Sequence, residues 1–367
     1  MNDLVSTNKR LISLDVFRGA TMAAMIMVND PGSWDVIYTQ LAHAEWEGCT
    51  FTDLIFPFFL FIVGVSIPIV FTRAMVKGGN KKELLIKTLK RGLLIFAIGV
   101  LLNYPPDFEL VNIRIPGVLQ RISIVYVVCA FIFLYASRRM QYAWFAVILL
   151  GYYLLMNFVP VPGIGPATLE LEHNFAAWFD RLILNGHLSW DGRGTYDITG
   201  IFTSIPAIPS GLAGVLAGRL LIDSRSDDKT KVIRLLIAGN ALMLAGWAFG
   251  YYFPIIRNVW SSSYTVYTSG IALICFAALY WFVDVLQFNK RLAFFIAFGR
   301  NALIAYAGST LFSDLTQETG FKQWMFNDVL STFLNSYNAS LLYSLLSLGL
   351  ISIPVWWMYK RKIVIKV

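Results

Sequence analysis

Apolar residues fall in long blocks along this chain, each about as long as a helix must be to cross roughly 30 Å of hydrocarbon. Ten blocks are legible: 11–29, 52–74, 89–104, 116–136, 141–159, 199–222, 232–253, 264–284, 292–312 and 339–359. In lipid a helix satisfies its own backbone polar groups without help from water. The pattern therefore predicts an all-α polytopic membrane protein, a bundle of about ten transmembrane helices forming one membrane-embedded domain over residues 1–367. An even number of crossings puts both termini on one side. If that side is the cytoplasm, it collects nearly all the lysines and arginines, from Lys9 and Arg10 to Lys362 and Lys366. The outer connections then keep Arg114, Arg181, Arg193, Arg257 and Lys322, as the positive-inside rule requires.

Two outer connections are long, 30–51 and 160–198. Trp34, Ile37, Tyr38 and Leu41 follow helical spacing, as do Phe175, Trp178, Phe179, Leu182 and Ile183. Each loop is therefore expected to lay an amphipathic helix on the interface, with His43 at the end of the first. The sixth block, "IFTSIPAIPSGLAGVLAGRLL", is expected to bend or break at Pro206 and Pro209. Its Gly214 and Gly218 offer a close helix contact.

Composition agrees: 57% of residues are hydrophobic and 14% charged, against about 25% charged in soluble domains. The formal charge of +8 is then mainly a cytoplasmic-face charge, suited to anionic headgroups and no argument for nucleic acid. Lys9 and Arg10 give the first block the look of a signal peptide, but Asp15 and Arg18 interrupt its apolar core, so it reads as a mature helix. Cys129 and Cys275 fall mid-span and Cys49 near the outer surface, which is no disulfide framework.

Chemistry gathers in "LAHAEWEGCTFTDLIFPFFLF", residues 41–61, where His43, Glu45, Glu47, Cys49 and Asp53 precede a wall of phenylalanine and leucine. Histidine is the side chain best matched to moving a proton near neutral pH. A His43–Cys49 thiolate pair is a second possibility. His173 and His187 stand 14 residues apart without a zinc pattern, so no metal is expected. Gly163-Ile-Gly165 reads as a turn, not a dinucleotide loop. Charges inside spans are costly unless partnered or hydrated. Asp15 and Arg18, three apart, can pair. Arg121 lies about one turn from the outer end of its span and Arg300 about two turns from the inner end of its own, and together they can stake out an anion path.

"LISLDVFRGATMAAMIMVND", "LAHAEWEGCTFTDLIFPFFLFIVGVSI", "IPGVLQRI", "YDITGIFTSIPAI" and "FGRNALIAY" resemble, in order, the blocks of the heparan-α-glucosaminide N-acetyltransferase family and its bacterial relatives, over about residues 10–310. The resemblance implies acetyl-CoA supplied from the cytoplasm, a glucosamine-type amino sugar on the far side, and a histidine at the outer mouth. By position that histidine is His43, with Asn29 and Asp53 beside the reacting centre. Asn29 would donate to the developing oxyanion and Asp53 would hold the imidazole tautomer. His43 would act as base or as transient acetyl carrier. Cys49 stands where members of the family commonly carry an apolar residue, which weakens the thiolate possibility. Arg18, Arg121, Arg300 and Asn301 are the expected contacts of the coenzyme's phosphate-bearing end. With no large region before the first span, the chain resembles the bacterial form, expected in the inner membrane and compatible with a homodimer.

Two competing functions stand beside this one. Ten spans, buried arginines and a proline-broken sixth helix also suit a transporter of an amino sugar or sugar acid. An acyltransferase using a longer acyl donor is the third reading. Dependence of product formation on acetyl-CoA separates the first, and competition between short and long acyl-CoAs the last.

Overall fold

The computed structural model describes residues 10–103, 113–188, 194–288 and 290–365; Lys9, Arg193, Lys366 and the final residue of the third apolar block, Tyr104, lie outside them. The described chain is helical, with isolated bridges as its only β pairing. In order the helices are α1 (Ile12–Asn29), α2 (Phe51–Val76), α3 (Lys81–Leu102), α4 (Val118–Tyr135), α5 (Arg138–Phe158), α6 (Phe175–Leu184), α7 (Ile208–Ile222), α8 (Asp228–Phe249), α9 (Ser262–Leu279), α10 (Ala293–Arg300), α11 (Ala302–Glu318), α12 (Phe321–Trp324) and α13 (Ser336–Lys360).

Among the described residues, eight helical segments are long and apolar enough to cross a membrane, against the ten blocks read from sequence. The two that differ have separate causes. The third block is the apolar end of α3, whose first half carries Lys81, Lys82, Glu83, Lys87, Lys90 and Arg91. The ninth breaks at Asn301, which leaves helical geometry at φ −123° and splits the block into α10 and α11. Hydropathy averages over such a break and cannot register it.

The loop expectations divide. Residues 160–198 do contain an amphipathic helix, α6, but Ala176, Ala177, Asp180 and Leu184 face inward, while Leu182 and Ile183 are exposed. Residues 30–50 form turns and no helix. The loop is tied instead to α13, through Gly32 N to Ser340 O at 3.3 Å and Tyr38 Oη to Asn338 Oδ1 at 2.6 Å. Gly163 and Gly165 sit in a turn, both with positive φ, as expected.

The sixth block breaks where its prolines require: a 3-10 turn at Phe202–Ser204 precedes α7. Beyond it, α7 lies backbone to backbone against α2. A Cβ added at Gly214 would stand 2.0 Å from Phe61 O, and one at Gly218 would stand 2.5 Å from Val65 O. A second such seam joins α1 to α10, where Gly19 meets Phe295 O and Gly299 meets Asp15 O. Small residues permit this approach, and close approach is how helices gain attraction when lipid removes the hydrophobic drive.

Candidate active site

Asp53 occupies the third position of α2 and caps that helix: its Oδ2 accepts Thr50 N at 3.0 Å, and Thr50 returns the capping box. The same oxygen takes Ala44 N at 3.1 Å. The other oxygen, Oδ1, stands 2.7 Å from His43 Nδ1. Asp53 is 1% exposed, and hydrogen bonds to both of its oxygens, with the charge of Arg257 close by, offset the cost of burying a carboxylate there. With Asp53 accepting at Nδ1, the proton of a neutral imidazole sits on that nitrogen and Nε2 presents a lone pair.

Arg257 completes the group. Its Nε lies 3.3 Å from Asp53 Oδ1, and its Nη1 lies 3.3 Å from His43 Nε2. The Asp53 contact is an ion pair rather than an aligned hydrogen bond, since Nε has no hydrogen-bond acceptor. The loop before α9 delivers this arginine through an antiparallel bridge, Glu47 to Ile256, reinforced by Gly48 N to Ile255 O at 2.8 Å. Burial pulls the guanidinium below its ordinary range, opposed by Tyr264 and Asp53. Sequence reasoning left Arg257 among ordinary outer-loop charges, since 214 positions separate it from His43.

Tyr264 supports the site from beneath. Pro57, four residues after Asp53, has no N–H, so the Asp53 carbonyl loses its normal helical donor. The fully buried Tyr264 hydroxyl donates to that carbonyl instead. Trp260, at φ 50°, packs edge-on to Tyr264 with ring centroids 5.2 Å apart.

The remaining predicted residues separate into groups. Asn29 is the exposed last residue of α1 and makes no hydrogen bond to His43 or Asp53. Its neighbour Asp30 is the buried one, meeting Lys322 Nζ and Ser313 Oγ at 3.0 Å each. Cys49 sends its thiol to Thr50 O at 3.7 Å, and burial, then Asp53, pushes that thiol up to about 12. A nucleophilic cysteine needs the opposite shift. Asp15 pairs more closely with Arg10, at 2.5 Å, than with Arg18, at 3.8 Å.

Arg18 and Arg300 line a cavity of about 350 Å³ enclosed by α1, α2, α3, α4, the α10–α11 break and the C-terminal tail. Arg91 joins them, an unforeseen third member. Arg300 stacks on Tyr359, 5.2 Å from the ring centroid, and its Nε is buried without a hydrogen-bond partner. Asn301 shapes the wall without lining it, clasping the tail through Ile363 O at 3.0 Å and Ile365 N at 3.2 Å. The deep end of the cavity reaches Met25 and Phe59. Phe59 is six residues from Asp53, about 9 Å along the helix.

Arg121 does not line this cavity. Fully buried, it donates to Ile198 O at 2.9 Å, Ser204 Oγ at 3.2 Å and Thr203 Oγ1, and lies 4.6 Å from the centre of the Trp260 ring. Those contacts hold the broken start of the sixth block against the loop that carries Arg257. Thus the expected pairing of Arg121 with Arg300 along one anion path is not what the geometry presents.

A family model described as heparan-α-glucosaminide N-acetyltransferase, catalytic, matches residues 10–253, about two thirds of the chain. The chain belongs to that family. It is 29% identical over 413 aligned positions to the heparan-α-glucosaminide N-acetyltransferase of Homo sapiens, covering 98% of this chain and 60% of the relative. To the Mus musculus protein of the same name it is 28% identical over 401 positions, covering 92% and 60%. The chain therefore spans about 60% of the length of these curated relatives. Within the family match lie His43, Asp53, Arg18, Arg91 and Arg121; Arg257, Tyr264, Arg300 and Asn301 fall beyond it.

Proposed function

We propose that this chain is a transmembrane N-acetyltransferase, moving an acetyl group from acetyl-CoA to the amine of a glucosamine-type sugar, with His43 as the proton acceptor. The observation that carries the reading is the succession of two features along α2. An Asp53-held imidazole stands at one end, and an arginine-lined cavity begins about 9 Å further along. Membership of an N-acetyltransferase family and the names of its relatives support acetyl transfer to a glucosamine-type acceptor.

In this mechanism the coenzyme's phosphates meet Arg18, Arg91 and Arg300, charge-assisted partners for an anion. Its extended arm points the thioester along α2. The sugar amine attacks the thioester carbon; the new C–N bond gives a tetrahedral oxyanion, whose collapse breaks the C–S bond and frees the thiolate. His43 Nε2 takes the amine proton and returns it to the departing thiolate. Asp53 stabilises the imidazolium that exists between these transfers. Asn29, four residues beyond the cavity-lining Met25, is the candidate donor to the tetrahedral oxyanion. Arg257 must release Nε2 as the amine approaches, which its long 3.3 Å contact permits.

Counted over ten crossings, the asymmetry of lysine and arginine supports a cytoplasmic donor and an outward-facing His43, with the bacterial inner membrane as the setting. The deciding experiment incubates the reconstituted chain with isotopically marked acetyl-CoA and candidate amino sugars, with product detection by mass spectrometry. Labelled N-acetyl sugar that forms with this chain and not with its His43→Ala variant is the expected result. Uptake of unmodified sugar into vesicles without any labelled product would replace the enzyme with a transporter.

A further inference from the structure

A second large cavity, about 670 Å³, lies apart from the arginine-lined one, between the C-terminal ends of α2, α4 and α7 and the N-terminal ends of α3 and α5. Its polar lining is dominated by cations: Lys81, Arg138, Arg219 and Arg225 against the single carboxylate Asp223. Asp223 is taken by Arg225 at 3.1 Å. Lys81, Arg138 and Arg219 have no carboxylate within ion-pair distance among the described residues. Arg219 is held over the Phe133 ring at 4.4 Å, with its Nε buried and lacking a hydrogen-bond partner. Lys81 stands 5.8 Å from the Tyr135 ring centroid. The 21-residue α5 begins here behind its Ser137 cap, so its unpaired first-turn amides add positive potential to the same space.

Four cations against one carboxylate leave the cavity with an excess of positive charge, and Arg138 and Arg219 repel each other unless an anion sits between them. The other walls are apolar, including Met75, Phe133 and Ile222, and Val76 and Tyr135 on the rim are exposed. A free phosphate would satisfy the charges and leave these walls wet. An amphiphile satisfies both. The cavity also sits at the helix ends where the chain concentrates its basic residues, the level at which lipid headgroups lie. We propose that this cavity binds an anionic phospholipid, its phosphate between Arg138 and Arg219 and its acyl chain leaving past Val76 and Tyr135. The proposal is independent of the acetyltransferase reading, since no residue of the His43 group or of the Arg18–Arg300 cavity takes part.

The test uses the full chain in neutral detergent. Titration with phosphatidylglycerol and with phosphatidylcholine, followed by native mass spectrometry, compares wild type with the Lys81→Gln/Arg138→Gln double variant, both positions being at the rim. Phosphatidylglycerol should bind wild type about tenfold more tightly than phosphatidylcholine, and that preference should fall to near unity in the variant, each cation at a membrane surface contributing a severalfold effect. Equal binding of the two lipids to wild type, or an unchanged preference in a variant that keeps the wild-type thermal midpoint, would overturn the proposal. So would displacement of bound phosphatidylglycerol by equimolar inorganic pyrophosphate, which would assign the cavity to a soluble phosphate.

Discussion

Arg257 Nη1 stands 3.3 Å from His43 Nε2, so the nitrogen that must receive a proton already faces a cation brought from 214 residues away. The imidazole is thereby held from both sides, Asp53 at Nδ1 and Arg257 at Nε2. Arg257→Gln should lower kcat roughly tenfold, a fraction of a full acid–base effect, because an oriented base becomes a loosely placed one. The donor KM should stay near the wild-type value. Steady-state kinetics with acetyl-CoA varied would check both, and a change confined to KM would remove Arg257 from the positioning of His43.

His43→Ala should fold, insert in the membrane and lose at least about 10²-fold in turnover, the scale of an acid–base group. Near-normal product formation by mass spectrometry would exclude His43 from the chemistry.

Arg300→Gln and Arg91→Gln should raise the KM for acetyl-CoA and spare that for the sugar, since both line the cavity. Arg121→Gln should act differently, lowering stability by about 3 kcal/mol as a buried network loses its centre. A thermal-shift measurement beside the kinetics separates the two behaviours; a selective rise in donor KM for Arg121→Gln would return it to the donor path.

Tyr264→Phe should cost about 1–3 kcal/mol, the range for stranding a buried acceptor, because Pro57 leaves the Asp53 carbonyl no other donor in its helix. Unfolding in detergent would measure it, and a neutral outcome would show that carbonyl to be otherwise satisfied.

Asp180, 1% exposed in α6, is raised to about 7, chiefly by burial and also by Asp197, with Phe202 N and Arg121 acting the other way. A carboxyl raised on folding binds its proton more tightly in the native state. Its contribution is full below about pH 4, falls through the window from about 4 to about 7, and is flat above that. Asp180→Asn should remove this slope from a plot of stability against pH; an unchanged slope would place Asp180 outside it.

The legible parts of this molecule were those written in local order. Hydrophobic block lengths predicted most spans, the proline pair predicted the break before α7, and the family resemblance set Asp53, at the start of the second span, beside His43. The break at Asn301 was hidden because the stretches flanking Gly299-Arg300-Asn301 are apolar enough to read as one block, and Asn301 there is bonded to a tail 62 residues away. Arg257 was hidden for the same reason. Its role comes from the bridge between Glu47 and Ile256, and no periodicity reports which loops will touch. The first loop misled because Trp34, Ile37, Tyr38 and Leu41 carry helical spacing with no helix to use it; α13 supplies the loop's hydrogen bonds instead.

The glycine seams constrain motion. With Gly214 against Phe61 O and Gly299 against Asp15 O, neither α2–α7 nor α1–α10 can slip by a residue without backbone collision. Each pair behaves as a welded plank, and the arginine-lined chamber lies between the two. Widening that chamber for a bulky guest therefore means swinging whole planks apart, so a cross-link tying α1 to α2 should arrest turnover while leaving each plank intact.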